Sequence, residues 1–392
     1  MPRNLIWGNP MAKLSFMPEN HIRRPVGTGP QGVFSRGFYF EVAILHLVTR
    51  FRYTVFSMRN TVVLTGIKPT GMPHLGNYLG AIRPALEMAR EPHSDARFFI
   101  ADYHSLNSVR DERILRSYSY QVAASWLAAG LNPAETLIYK QSDVPEIFEL
   151  TTILMAFTAK GLMNRAHAYK AAVDANRKKN QSEDYQINMG LYSYPVLMAA
   201  DILLFDTDVV PVGKDQLQHV EMAQDIAKMI NHNYKKELLK IPEPRTAPEL
   251  MNVRGLDGRK MSKGYNNHIP MFLPEGRLRK LIMRIVTNSQ SVEDAKDPDI
   301  CPIYSLYQLF ASPDEQTNLA SRYRAGGMGW GEAKGILFEK INEALAPMRD
   351  IYDALMADTS KIDAILDEGA NRARVVAGQT IRRLRGAIGV GR

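Results

Sequence analysis

The sequence predicts an α/β protein, a Rossmann-like parallel sheet with a helical domain at its C-terminal end. Three observations carry this. Short β-branched runs alternate with helical segments from about Thr61 to Asn231, the pattern of parallel strands joined by crossover helices. Glycine-bearing turns at 66–71 and 213–216 follow two of the strands, where open parallel sheets bind ligands. Past about Ile269 the strand signals stop and only helical spacing is left.

In chain order, residues 61–65 read as a buried strand and 66–71 as its turn. Leu79, Ile82, Leu86 and Met88 give 75–90 a helical stripe. A second strand follows at 97–102, then a helix at 113–129 ended by Gly130. Residues 136–140 form a third strand, and Pro145 opens a helix running to Ala159. The stretch 164–190 is polar, with Arg177, Lys178, Lys179, Glu183 and Asp184, and is expected to be a loop or frayed insertion near the sheet's edge. A fourth strand at 208–213 and a helix at 215–231 complete the alternation. Further helices are expected at 277–287, 303–311, 331–353, 361–368 and 370–388. The expected organisation is an extension at 1–58, a Rossmann-like domain at 59–268 and a helical domain at 269–392.

Composition narrows the function classes. A single cysteine, Cys301, excludes an intrachain disulfide framework and cysteine-rich zinc or iron–sulfur centres, and fits a reducing compartment. No run reaches the ~18 apolar residues of a membrane span. The net charge of +8 is uneven: residues 1–58 carry +5 and the other 334 residues +3. The N-terminal stretch reads in three ways: an arginine-rich targeting peptide, upstream sequence before a true start at Met58, or an extension that packs on the body.

Two motifs carry chemistry. His74, Leu75, Gly76 and Asn77 follow the first strand and open a helix, whose N-terminus offers free N–H groups to phosphate. Gly76 admits close backbone approach, and His74 and Asn77 can donate to phosphate oxygens. Almost 190 residues on, Lys260, Met261, Ser262, Lys263 and Gly264 place two lysines around a serine, suited to a polyphosphate and to charge on a leaving pyrophosphate. Alone, the first is an ordinary turn and the second a solvated basic loop. Between them, Tyr194, Met198 and Asp201 share one helical face. An indole N–H is donor-only, and a buried carboxylate is its matching acceptor; an ordinary core helix with a capping or ion-paired Asp is the plain alternative.

Taken together, the two motifs resemble the paired ATP-binding motifs of class I aminoacyl-tRNA synthetases. Residues 193–205, 207–213 and Asp215-Gln216 narrow the resemblance to the tryptophanyl-tRNA synthetases, and it runs from about Thr61 to the C-terminus, including 329–331 and 366–370. It implies ligation of L-tryptophan to tRNA-Trp through a tryptophanyl-adenylate, with ATP as substrate, Mg2+ carried by ATP, no protein metal site and no editing domain. His74, Asn77, Lys260, Ser262 and Lys263 would act on the phosphates. Lys68, Pro69, Thr70, Gly76, Gly213, Lys214, Asp215, Val253, Met261 and Gly264 would also line ATP, with Asp215 on the ribose and the Val253 backbone near adenine. Tyr194, Met198, Asp201, Gln216 and Gly66 would hold tryptophan. Lys170 reads equally as a phosphate contact or an exposed lysine. The resemblance further implies a homodimer, a cytoplasmic location (an organelle if 1–58 is a transit peptide) and an anticodon-reading helical domain.

Two departures stand out. Many relatives have Gln at the position of Lys68, and most have Ser at that of Gly264. Lys68 is expected to turn toward a carboxylate or phosphate, and Gly264 to loosen its loop. Residues 371–392 hold six arginines and no acid, so that helix is expected either to pack on the body and offer arginines to RNA phosphate or to be a solvated amphipathic helix. The rival activities are a tyrosine-specific enzyme of the same fold, and a non-catalytic paralogue that binds tRNA or a protein.

Overall fold

The computed structural model describes residues 60–213, 216–246 and 253–391. Residues 59–392 form one compact unit. The readings of 1–58, Lys214 and Asp215 lie outside the described residues.

Five parallel strands run β1 (Thr61–Ile67), β2 (Ser94–Ile100), β3 (Leu137–Lys140), β4 (Val209–Val212) and β5 (Glu243–Thr246). Their spatial order is β3-β2-β1-β4-β5. The chain moves outward from β1 on one side, then returns to its other side, so the strand order reverses between β1 and β4. A crevice opens at such a reversal, beyond the carboxyl ends of the two strands. The turns at 66–71 and 213–216 both start there.

Alternating strand residues feed two cores. Phe98, Ile100 and Ile138 join one apolar cluster, while Phe99, Ala101, Leu137 and Tyr139 join another. The first holds α1 (Leu75–Asn77), α2 (Arg83–Ala89), α4 (Glu112–Ala128) and most of the C-terminal helices. The second holds α5 (Glu146–Phe157), α8 (Met189–Leu203) and α9 (Leu217–Tyr234). The short α3 (Asp102–Ser105) and α6 (Lys160–Asn164) also precede β4.

Several elements differ from expectation. The helix expected over 75–90 contains a π-helical turn, Tyr78–Ile82, between α1 and α2. Such widened turns are frequent at functional sites. In the polar stretch read as a loop, α7 (His167–Lys178) is a helix with one buried residue, Val173. Its return loop supports it: Asn176 Nδ2 donates to the Glu183 and Tyr185 carbonyls at 2.9 Å, and Arg177 pairs with Glu183 at 2.7 Å. Strand β5 gave no sequence signal because it is a mostly exposed edge containing Pro244, a position that tolerates a missing N–H.

The C-terminal region is α10 (Glu275–Ile282), α11 (Pro302–Tyr307), α12 (Pro313–Ala325), α13 (Trp330–Ala357) and α14 (Ser360–Ile388). Helix α12 went unread although Ser312 and Glu315 form a capping box with Pro313 at the first helical position. The two helices expected at 361–388 are one. Gly369 lies within it because a Cβ there would overlap the Ile138 carbonyl oxygen of β3. The helix thereby shields an edge strand. Its arginines serve this packing. Arg372 donates to the Pro133 carbonyl at 3.2 Å, and Arg374, Arg383 and Arg385 pair with Glu146, Asp206 and Glu149 at 3.2, 2.6 and 2.6 Å. The helix thus packs on the body, and these four arginines meet its carboxylates and a carbonyl.

Candidate active site

The two sequence motifs meet directly. Leu75 N–H donates to the Ile269 carbonyl at 2.9 Å, and Met271 N–H donates to the Pro73 carbonyl at 3.0 Å. His74 and Pro270 form a two-residue bridge. The segment just after the lysine motif is thus stitched to the start of α1. Lys263 Nζ donates to the Thr70 carbonyl in the β1 turn at 3.0 Å. In the same turn, the Pro69 carbonyl accepts from Ser105 Oγ at 3.0 Å.

His74 caps α1 reciprocally. Asn77 N–H donates to its Nδ1 at 3.3 Å, and its own N–H donates to Asn77 Oδ1 at 3.1 Å. Because Nδ1 accepts, the neutral ring carries its proton on Nε2. Burial, then His268 and Lys263, push the His74 pKa down to about 4, so the ring is neutral near pH 7. Gly76 has a steric reason: a Cβ there would stand 2.9 Å from His74 Cε1. Met261 is buried beside the same glycine.

In the lysine loop, Lys260 is exposed and its ammonium has no ion pair among the described residues. Lys263 is half-buried, which lowers its pKa. Ser262 Oγ accepts from Gly264 N–H at 3.2 Å and caps a short 3-10 turn, Lys263–Tyr265. Gly264 therefore lies in this turn, and nothing crowds it more closely than ordinary contact. The Val253 carbonyl accepts from Met261 N–H at 2.8 Å, and its side chain is buried. Lys68 is exposed on the β1 turn, and its partly desolvated ammonium has a lowered pKa. Gly66 lies under the Phe99 ring, which a Cβ would overlap. Gly213 ends β4, and its carbonyl accepts from Gln216 N–H at 2.9 Å. Lys170 is exposed on α7.

A second cluster adjoins these turns. Asp201 on α8 is fully buried. Gln141 Nε2 donates to both its oxygens, at 2.8 and 2.9 Å, and His104 Nε2 lies 2.9 Å from Oδ2. Burial raises the carboxyl pKa, and His104 and Gln141 pull it back. A carboxylate has about four acceptor positions; three are used, and one on Oδ1 is left. Tyr194 packs edge-on to His104 at 6.3 Å, and its hydroxyl lies 2.6 Å from His219 Nε2. His219 Nδ1 lies 2.9 Å from Gln216 Oε1. Tyr194, Asp201 and Gln216 therefore belong to one polar and aromatic network, while Met198 lies half-buried on the same helix.

Sequence reading missed His104, Gln141, His219 and Asn267. His104 and Gln141 follow β2 and β3, so the carboxyl-end rule applied to every strand would have flagged them. Tyr139 and Gln141 each retain a buried oxygen with no partner, Oη and Oε1. Among the described residues no group of three or more His, Cys, Asp or Glu could hold a metal ion.

Comparison with known proteins agrees with this geometry. Residues 57–346 match the family described as tRNA synthetases class I (W and Y). The chain is 51% identical over 336 residues to the tryptophan–tRNA ligase of Bordetella parapertussis, covering 85% of this chain and 74% of that one. It is 47% identical over 329 residues to that of Neisseria meningitidis, covering 84% and 97%. A crystal structure of tryptophanyl-tRNA synthetase from Campylobacter jejuni, complexed with ADP and tryptophan, superposes with a TM-score of 0.77 at 42% identity, covering 84% of this chain and all of that one. With the family match spanning most of the chain and relatives at this identity, the chain belongs to the class I tRNA synthetases of the tryptophan and tyrosine family.

Proposed function

We propose that the chain is a tryptophan–tRNA ligase, which activates L-tryptophan with ATP and transfers it to tRNA-Trp. The observation that carries this is the stitching of the segment after the lysine motif to the His74–Asn77 turn at the reversal of strand order, beside a buried carboxylate with one acceptor position left. The tryptophan carboxylate attacks the α-phosphorus, the bond to the bridging oxygen breaks, and pyrophosphate leaves. The substrate supplies the nucleophile, so the protein's task is positioning and charge stabilisation. The neutral His74 offers Nε2–H, Asn77 offers its amide, and Lys260 and Lys263 meet charge growing on pyrophosphate. Magnesium enters with ATP, held chiefly by the substrate's phosphates.

Specificity rests on Asp201. An indole N–H fits the acceptor position on Oδ1, and phenylalanine would leave it unfilled in a buried site. Tyr194 and Met198 flank the ring, and Gln216 faces the amino-acid head. Lys214 and Asp215 are assigned to ATP by the family motif. Residues 59–268 carry the chemistry and the helices of 269–392 face the tRNA. The enzyme works as a cytoplasmic homodimer; among the described residues no helix is long and apolar enough to cross a membrane.

The test is charging of a mixed tRNA pool. Tryptophan should be esterified to its own isoacceptor and tyrosine to none. Acceptance of tyrosine, or of neither amino acid, would overturn the reading.

A further inference from the structure

Asn267 lies outside the Lys260–Gly264 motif and is none of the residues assigned to a substrate above. It is only 2% exposed. Its Oδ1 accepts from Ser262 N–H at 2.8 Å. Its Nδ2 donates to Asp257 Oδ1 at 2.7 Å and to the Lys260 carbonyl at 3.1 Å. Its own carbonyl accepts from Leu256 N–H at 2.9 Å. Gly255 makes room for it: a Cβ there would stand 2.5 Å from the Asn267 amide carbon.

One amide therefore fastens the backbone on both sides of Met261. The Lys260 carbonyl and the Ser262 N–H set the directions in which the two lysines leave the loop. The loop is glycine-rich, with Gly255, Gly258 and Gly264. Without a fastening, ordering it would cost conformational entropy at each encounter with ATP. The cost would fall on the step in which charge develops on the phosphates.

We propose that Asn267 is a positioning residue for adenylate formation: it holds the loop so that Lys260 and Lys263 reach the triphosphate, without itself touching substrate. This rests on the adenylate-forming reading above. Only an amide serves here, because the position needs one acceptor and two donors. An Asp would keep the acceptor, lose both donors and set a second carboxylate against Asp257.

The test compares wild type, Asn267→Asp, and the reciprocal pair Asp257→Asn with Asn267→Asp. Each is assayed by tryptophan-dependent ATP–pyrophosphate exchange, and by transfer of tryptophan to tRNA from preformed tryptophanyl-adenylate. Asn267→Asp should lower exchange kcat by about tenfold to a hundredfold, the effect of losing two part-buried bonds and gaining a like-charge contact. The KM for tryptophan should hold. Transfer should also hold, because pyrophosphate has already left. In the pair, the new amide at position 257 can donate to the new carboxylate, and exchange should partly recover. Wild-type exchange by Asn267→Asp would overturn the proposal. So would equal losses in exchange, transfer and tryptophan KM, which mark a general structural role. Absence of exchange in the wild type would instead refute the parent reading. If Asn267→Asp does not fold, Asn267→Ser shortens the reach without adding charge, and the same outcomes decide.

Discussion

Asp201 accepts from Gln141 and lies against His104 while retaining one acceptor position, and that local count makes a sharp substitution available. Asp201→Asn has nearly the same shape but places an NH2 where Gln141 or His104 now meets an oxygen. Exchange kcat/KM for tryptophan should fall about a hundredfold, from buried polar groups left unpaired, while the KM for ATP is unchanged. A parallel loss in the KM for ATP would remove Asp201 from the amino-acid pocket. His74 supplies a pH test. Its folded pKa lies near 4, below the ordinary value of 6.5. The folded state therefore binds fewer protons than the unfolded state between these values, and stability falls as pH drops through that window. The contribution is complete above 6.5. His74→Asn keeps a capping acceptor and removes the titration, so its stability should decline less than that of wild type between pH 7 and pH 5, by chemical denaturation. Equal slopes would contradict the assignment. His74, Asp201 and the lysines were legible because short patterns announce them. His104, Gln141 and Asn267 carry no pattern of their own; three-dimensional neighbours give them meaning.

At the scale of elements, helix α14 explains its glycines differently. Gly369 meets the β3 backbone, whereas Gly386, on the same helix, has nothing within 4 Å of an added Cβ. Gly369→Ala should destabilise by about 3 kcal/mol, because a backbone carbonyl cannot step aside cheaply. Gly386→Ala should stabilise by about 0.5–1 kcal/mol through helix propensity. Denaturant midpoints of the two variants should thus move in opposite directions; similar shifts would deny the contact. The helix itself was readable from its apolar spacing, but its continuity was not, since a mid-helix glycine also reads as a break. Strand β5 was unreadable for a related reason: an exposed edge needs no apolar alternation. Helix α7 buries one residue, so its periodic signal was too weak to separate from a polar loop.

Across the whole molecule, the alternation of strand and helix predicted the sheet, and the order reversal beside β1 explains why motifs nearly 190 residues apart converge. What sequence pattern did not reveal is how far the C-terminal helices share the sheet's core. Phe272 stacks on Tyr352 at 4.0 Å, and Tyr120 donates to Asp363 at 2.8 Å. Residues 59–392 are one compact unit, and the family match begins at residue 57. A chain starting at Met58 should therefore fold cooperatively and keep full exchange activity; loss of activity in folded protein would give residues 1–57 a part in the chemistry. Tryptophan-dependent ATP–pyrophosphate exchange, with tyrosine as control, measures amino-acid activation most directly. Exchange with tryptophan and none with tyrosine is expected. Exchange with tyrosine, or none with tryptophan from folded protein that binds ATP, would contradict it.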